Sequence, residues 1–253
     1  MRLHLLIAYL KFWLKSTNEH GVHSPFVYQL VTRCFYDQAD HLAYVKLGEQ
    51  NRIWHKRIHQ LSFSGTEQMG EPFGECKASG MKLRQAKLLN RLVRYLNVER
   101  ILEFGSSLGL KPAAMATSNK VNVVSVDACA MTTDLARQNL LDWNLTNVEV
   151  RGGSLATGIE HITSKKEGES FDLIYIDLAQ QQERVLESFR MLLSFTHNDT
   201  LIIFEGIHDS LSAEMIWEEI VGQSEVRVSI DTFKWGLVFF RREQVKEHFV
   251  IRV

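Results

Sequence analysis

The pattern of apolar and polar residues along the chain changes near position 80. Beyond it, short apolar runs such as VVSV, LIYI and LIIF alternate with amphipathic stretches. Continuous apolar runs of this length are typical of strands buried on both faces of a parallel sheet. The predicted strands are Arg100–Phe104, Val121–Val126, Val148–Arg151, Asp172–Ile176, Thr200–Phe204, Val226–Ile230 and Gly236–Phe240.

Helical stretches separate the first five predicted strands, whereas only Thr232–Trp235 joins the last two. Because that connection is too short for a crossover helix, the last two strands are expected to form an antiparallel hairpin. Strands that alternate with helices and end in a hairpin predict an α/β fold of three layers with a seven-stranded mixed sheet. We assign residues 81–253 to this domain.

Residues 1–80 are predicted to form a helical N-terminal extension that serves as a substrate cover or in dimerisation. Leu3, Ile7, Leu10 and Leu14 recur at helical spacing and predict an apolar stripe on the first helix. We expect this stripe to pack against the rest of the chain or a second copy rather than on a membrane surface. The helix is too short to span a bilayer, which needs about 20 apolar residues. The polar, glycine-bearing segment 62–80 is expected to be a loop.

Composition narrows the class of protein. A length of 253 residues suits one large domain or one domain with an appendage. The 29 Lys+Arg and 30 Asp+Glu residues give a net charge of −1, which argues against a globally basic nucleic-acid binder. Cys34, Cys76 and Cys129 are isolated and odd in number, so no disulfide framework is predicted and a cytoplasmic location is expected.

The ends of the first two predicted strands favour a ligand that contains a nucleoside. The first strand leads into Gly105-Ser106-Ser107-Leu108-Gly109, where the glycines permit a sharp turn and close approach of the backbone to a ligand. Ser107 stands where the dinucleotide fingerprint has its second glycine, which disfavours a nicotinamide-linked dehydrogenase. Asp127 ends the second strand and can either accept hydrogen bonds from ribose hydroxyls or cap the following helix.

With these residues in place, Met81–Arg241 resembles the class I S-adenosylmethionine-dependent methyltransferases. The most specific piece is ILEFGSSLGLKPAAMA, which is similar to their first motif, an acidic residue followed by G-x-x-x-G. The segment HGVHSPFVYQL resembles a small bacterial subgroup of that class, and the layout resembles the catechol-type O-methyltransferases. The resemblance implies a Rossmann-like methyltransferase fold with S-adenosylmethionine as cofactor.

The resemblance also implies roles for individual residues. Glu103 and the Gly105–Gly109 backbone would hold the amino-acid end of the cofactor, Asp127 the ribose, and the turn at Ser154 the adenine. Asp177, at the end of the fourth strand, would face the methionine and the substrate. The expected cofactor-binding residues are Glu103, Gly105, Ser106, Ser107, Gly109, Asp127, Ala128, Ser154, Leu155 and Asp177.

Methyl transfer from a sulfonium is a direct displacement, so the protein must align the reactants and supply a base where the nucleophile carries a proton. The candidate catalytic residues are Asp177 and His208; an imidazole titrates near neutrality, although a structural role for His208 stays open. Catechol-type members bind a divalent metal at the ends of the fourth and fifth strands. No metal ligand is assigned here, because Gly206 stands where a ligand would be; a site formed by Asp177, Glu205, His208 and Asp209 stays open.

The expected function is therefore methyl transfer from S-adenosylmethionine to a small-molecule acceptor at an oxygen nucleophile. No nucleic-acid partner is expected. The N-terminal helices are expected to form a homodimer. The alternative is a methyltransferase-like binding or scaffold protein without turnover. Ser154 favours this alternative, since it keeps a hydroxyl but lacks the charge common at that position in the family, and so does Gly206.

Overall fold

The computed structural model describes residues 2–64, 81–164, 170–178 and 185–253. The helices are α1 (Arg2–Lys15), α2 (Pro25–Leu30), α3 (Leu42–Ser64), α4 (Leu83–Tyr95), α5 (Leu110–Ala116), α6 (Ala130–Asp142), α7 (Leu155–Ser164), α8 (Val185–Leu192) and α9 (Leu211–Gly222). The strands are β1 (Arg100–Phe104), β2 (Asn122–Asp127), β3 (Val148–Gly152), β4 (Leu173–Asp177), β5 (Leu201–Glu205), β6 (Val228–Asp231), β7 (Trp235–Phe239) and β8 (Glu247–Val250).

The strands form one sheet in the order β3-β2-β1-β4-β5-β7-β6-β8, with helices on both sides. The predicted α/β class, the mixed sheet and the hairpin of β6 and β7 are confirmed, since β7 runs antiparallel to both β5 and β6. The expected number of seven strands is wrong, because β8 adds an eighth, parallel to β6. Its sequence, EHFV, is short and only partly buried, so it lacks the apolar run that marks the other strands.

By contact density the chain divides into two compact units. The first comprises Met1–Asp37, Arg100–Leu102 and Leu155–Val253, and its core includes the fully buried strands β4 and β7. The second comprises Gln38–Glu99 and Glu103–Ser154, and contains α5, which is buried along its whole length. The predicted domain boundary between residues 80 and 81 stays a prediction.

In the first unit, the N-terminal segment is tied to β8. The amide of Thr17 donates to the carbonyl of Val250 at 2.8 Å, and the amide of Arg252 donates to the carbonyl of Thr17 at 3.1 Å. The Tyr36 hydroxyl also donates to the Arg252 carbonyl, at 2.9 Å. These bonds continue the sheet pairing by one bridge, between Thr17 and Ile251.

The face of α1 that packs on its own unit is not the predicted one. Ala8 and Phe12 are buried, and the Phe12 ring lies 5.4 Å from the ring of Phe233. The predicted stripe faces solvent instead: Leu3 is 70% exposed and Leu14 is 77% exposed. Of the two expected partners of this stripe, the rest of the chain is wrong, because α1 is apolar on both faces and the Ala8–Phe12 face is the one buried; a second copy stays a prediction.

Three further sequence-based expectations concern the extension and the cysteines. The segment expected to be a loop continues α3 as far as Ser64, and residues 65–80 lie outside the described residues. Cys129 is disulfide-bonded, although the isolated cysteines predicted no disulfide framework; Cys76 lies outside the described residues. Among the helices that the structure describes, none is both long and apolar enough to cross a bilayer.

Candidate functional site

The turn between β1 and α5 is built from backbone conformations that few residues adopt. Gly105 and Gly109 have φ angles of 101° and 90°, and Ser107 has a φ of 51°. Left-handed backbone is readily adopted by glycine but is unfavourable for other residues. A side chain at Gly109 would also approach α6, because its Cβ would lie 3.3 Å from the Ala136 carbonyl oxygen. The two glycines that the sequence singled out are therefore required by this turn.

Asp127, at the end of β2, holds the turn in this shape. Its Oδ2 accepts from the Ser107 amide at 2.7 Å and from the Ser106 hydroxyl at 3.4 Å. Its Oδ1 accepts from the Cys129 amide at 2.9 Å and from the Thr132 hydroxyl at 3.0 Å, at the start of α6. The side chain is only 2% exposed. Asp127 thus joins the turn after β1 to the start of α6, which is close to the helix-capping role left open by the sequence.

A second anchor of the turn is the carbonyl of Leu108. It accepts from the Trp54 indole at 3.0 Å and from the Asn139 side-chain amide at 2.8 Å. Both donors are buried, so these bonds are shielded from water. Neither donor lies near the motif in sequence, which is why sequence reasoning missed them.

Buried charge surrounds the start of the turn. Glu103 is fully buried in β1 and accepts a hydrogen bond from the Ser125 hydroxyl on β2. Lys111, in the first turn of α5, is 2% exposed, and its ammonium lies 3.4 Å from the Gly105 carbonyl oxygen. Sequence reasoning also missed Lys111. The signal was present as a single charged residue inside the apolar run LGLKPAAMA.

The remaining predicted residues of the second unit lie at the ends of β2 and β3. Ala128 and Ser154 are exposed. The Gly153 amide donates to the Asp127 carbonyl at 2.9 Å, which brings the turn before Ser154 next to the end of β2. The structure therefore brings together the glycine turn, Asp127 and the β3 turn.

Asp177 and Leu155 belong to the first unit. Leu155 begins α7 and is buried. Asp177 is the last residue of β4, is 2% exposed, and lies in register with Glu205 at the end of the parallel strand β5. Two carboxylates are thus neighbours at the carboxyl ends of adjacent strands, the part of such sheets where ligands bind.

His208 follows β5, and both of its ring nitrogens have carboxylate partners. Nδ1 lies 2.9 Å from Glu214, Nε2 lies 2.8 Å from Asp231, and the ring stacks on Phe233 with centroids 5.2 Å apart. Burial lowers the pKa of His208, but the hydrogen bonds and charges of Asp231 and Glu214 outweigh this effect and raise the pKa. Proton abstraction by His208 would require one of these bonds to break.

No cluster of three or more His, Cys, Asp or Glu side chains suited to a metal ion occurs in the part of the chain that the structure describes. The left-handed Gly206, with a φ of 79°, turns the chain after β5, and a Cβ there would lie 2.9 Å from the Asp209 carboxylate. This turn explains the glycine at a position where the resemblance suggested a ligand.

Comparison with known proteins gives matches at the level of structure. No protein-family model and no curated protein matches the sequence. An O-methyltransferase from Bacillus cereus in complex with SAH has a TM-score of 0.54 and 20% identity over 83% of this chain and 96% of that one. The O-methyltransferase TomG from Streptomyces achromogenes is involved in tomaymycin synthesis and is in complex with SAM. It has a TM-score of 0.56 and 16% identity over 80% of this chain and 91% of that one.

A methyltransferase from Geobacter sulfurreducens is also similar, with a TM-score of 0.53 and 16% identity over 73% of this chain and 97% of that one. Identities this low carry the fold and not the activity. The polar glycine turn after β1, the strand order and these structural neighbours lead to one conclusion: the chain has the fold of the class I S-adenosylmethionine-dependent O-methyltransferases.

Proposed function

We propose that this protein transfers a methyl group from S-adenosylmethionine to a small-molecule acceptor, at an oxygen nucleophile. The observation that carries the proposal is the buried polar turn after β1, in which Glu103, Gly105, Gly109 and Asp127 lie at the carboxyl ends of β1 and β2. The neighbours described by name as O-methyltransferases with SAM or SAH bound support the choice of cofactor and of oxygen.

The buried charges suit the amino-acid end of this cofactor, which carries an ammonium and a carboxylate. The Glu103 carboxylate and the Gly105 carbonyl can accept from an ammonium, and the Lys111 ammonium can donate to a carboxylate. A charged ligand group that leaves water needs partners of this kind. We therefore assign the amino-acid end to Glu103, Gly105 and Lys111.

Asp127 needs a more specific proposal. An ionised carboxylate has about four acceptor sites, and the Asp127 carboxylate accepts hydrogen bonds from four donors. We propose that a ribose hydroxyl replaces the Ser106 hydroxyl, whose contact of 3.4 Å is the longest of the four. The adenine would then lie near the exposed Ala128 and at the turn of Ser154 and Leu155.

S-adenosylmethionine, when bound, supplies a methyl group on a positively charged sulfur. The chain's own contribution is to hold the acceptor in line and to take up the proton of its hydroxyl. We assign that proton to Asp177 because it lies at the carboxyl end of β4, beside Glu205 at the end of β5, where ligands of such sheets bind.

Calorimetric titration of the full chain with S-adenosylhomocysteine tests the cofactor. We expect saturable binding, and no heat at millimolar ligand would refute the proposal. Turnover is then tested with labelled S-adenosylmethionine and a protein-free metabolite extract. Asp177→Asn should lower the rate of labelled product at least 100-fold with little change in S-adenosylhomocysteine affinity. The matched control, Asp134→Asn, alters a carboxylate that is 77% exposed and should leave both values unchanged.

The second candidate is a binding protein of the same fold that does not turn over. It is favoured by Ser154, which keeps a hydroxyl at the adenine turn but lacks the charge common at that position in the family. If S-adenosylhomocysteine binds but no extract yields labelled product, this candidate replaces the first.

A further inference from the structure

Helix α5, which follows the glycine turn, is held in place by side chains from other helices. It has only 7 residues, and isolated helices shorter than about 12–15 residues are marginal in water. At its end, Asn90 on α4 donates to the carbonyls of Ala114 and Thr117, each at 2.9 Å. At its start, Trp54 on α3 donates to the Leu108 carbonyl at 3.0 Å. The position of α5, and with it the shape of the turn, therefore depends on tertiary hydrogen bonds.

Leu108 lies between two left-handed residues of the turn. Ser107 has a φ of 51° and Gly109 has a φ of 90°. Backbone in such sparsely populated conformations is retained only where the surrounding structure fixes it. The Asp127 carboxylate binds the Ser107 amide on one side, and the Trp54 indole binds the Leu108 carbonyl on the other. Without the bond from Trp54, the peptide between Leu108 and Gly109 would be fixed less firmly.

Two of the groups assigned to the amino-acid end of the cofactor lie on either side of Leu108. The Gly105 carbonyl comes three residues before it and Lys111 three residues after it. The Lys111 ammonium lies 3.4 Å from the Gly105 carbonyl oxygen. Groups that bind one ligand must be held within about 0.5 Å of their working positions. The placement of Leu108 therefore determines how the Gly105 carbonyl and the Lys111 ammonium face a ligand.

Trp54 is well suited to hold this carbonyl. It is 1% exposed, and its side chain rotates about only two bonds. The second donor to the Leu108 carbonyl, at 2.8 Å, is Asn139 on α6. A carbonyl oxygen has two lone pairs, so the donors from α3 and α6 together satisfy it. Loss of the Trp54 N–H would leave the carbonyl with one donor and free to move away from α3.

The ribose side of the site is fixed differently. Asp127 ends β2, and its Oδ1 accepts from the Cys129 amide and the Thr132 hydroxyl at the start of α6. These bonds hold the carboxylate without a contribution from α3. Loss of the Trp54 bond should therefore affect the amino-acid end of the cofactor more than its ribose.

We propose that Trp54 is a positioning residue of the cofactor site, whose indole N–H holds the Leu108 carbonyl so that Gly105 and Lys111 meet the amino-acid end of S-adenosylmethionine. This inference rests on the proposed function. It makes α3 a part of the cofactor site, a role that the sequence did not predict for the N-terminal extension.

Calorimetric titration of Trp54→Phe with S-adenosylhomocysteine and with methylthioadenosine, which lacks the amino-acid end, tests the proposal. Phenylalanine keeps an aromatic ring but has no N–H. We expect an affinity for S-adenosylhomocysteine about tenfold lower, and a change of less than about twofold for methylthioadenosine. A merely structural role would lower both affinities equally, because partial unfolding reduces the binding-competent fraction for either ligand.

The matched control is Trp235→Phe. Trp235 is 2% exposed and lies in the first unit, and its indole nitrogen has no hydrogen-bond partner among the described residues. This change also trims a buried indole but removes no hydrogen bond, so both affinities should stay unchanged. A second variant, Asn139→Ala, removes the other donor to the Leu108 carbonyl and should repeat the loss that is specific to S-adenosylhomocysteine.

Circular dichroism should give the same helix content for the wild type and the variants. An unchanged affinity for S-adenosylhomocysteine in Trp54→Phe, or equal losses for both ligands, would overturn the role of Trp54 and leave the proposed function intact. If Trp54→Phe does not fold, equal losses in Asn139→Ala would overturn the proposal. A wild-type chain that binds neither ligand would refute the proposed function itself, and the role of Trp54 with it.

Discussion

Replacing Asp127 by asparagine should destabilise the folded chain through the turn that this carboxylate holds. The Asp127 oxygens accept from the amides of Ser107 and Cys129, at 2.7 and 2.9 Å, on opposite sides of the carboxylate. An asparagine has one oxygen and one NH₂ group, so either the buried Ser107 amide or the partly buried Cys129 amide would face a donor. A buried donor without a partner costs about 1–3 kcal/mol, and the loss of the charge weakens the bonds that remain.

Together these effects predict a loss of about 2–4 kcal/mol in the free energy of unfolding. For a chain of this size that corresponds to a fall in melting temperature of about 4–16 °C.

Urea denaturation of wild type, Asp127→Asn and Asp134→Asn would measure the loss. Asp134 pairs with Arg137 on the surface of α6, so Asp134→Asn should change stability by less than about 0.5 kcal/mol. If Asp127→Asn falls within that same range, the hydrogen bonds of Asp127 do not hold the turn. Asp127→Asn should also lower the affinity for S-adenosylhomocysteine at least tenfold. An unchanged affinity would show that Asp127 does not bind the cofactor.

Three further predictions concern the turn after β1 and His208. Gly109→Ala should lower the free energy of unfolding by about 1–3 kcal/mol, because φ is positive there and the added Cβ would contact the Ala136 carbonyl oxygen. The control, Gly152→Ala, should have little effect, because no atom lies within 4 Å of the added Cβ. In calorimetry, Lys111→Met should lower the affinity for S-adenosylhomocysteine about tenfold. The affinity for methylthioadenosine, which lacks the amino-acid end, should not change. Equal losses of affinity for both ligands would contradict the assignment of Lys111 to the amino-acid end. The raised pKa of His208 means that the folded state holds its proton more tightly, so the stability difference between wild type and His208→Gln should fall as pH rises above about 6.5. Urea titrations at several pH values would measure this difference, and a difference that grows with pH would refute the reasoning.

The strands could be predicted from sequence because most are buried runs, and burial on both faces leaves a continuous apolar signature. Strand β8 gave no such signature, since it is an edge strand that depends on β6 for its pairing. The buried face of α1 could not be predicted, because the helix is apolar on both sides and its sequence does not indicate which side packs against the fold.

Within the candidate site, the glycines were readable because a left-handed turn restricts the residue type. The partners of Asp127 and the donors to the Leu108 carbonyl were not, since these bonds join residues distant in sequence. Lys111 was visible as a charge in an apolar helix, but its proximity to the Gly105 carbonyl required the folded turn.

The pairing of Thr17 with Val250 and Arg252 has a consequence for how the protein is made. A ribosome synthesises α1 well before β8, so the two cannot meet until the other strands of the sheet have emerged. During that interval both apolar sides of α1 are exposed, and the nascent chain is most vulnerable to aggregation there. Removal of residues 247–253 deletes β8, so the segment after α1 would lose this pairing in the finished chain as well. We expect the shortened chain to aggregate, which would be measured as a loss of soluble protein on expression.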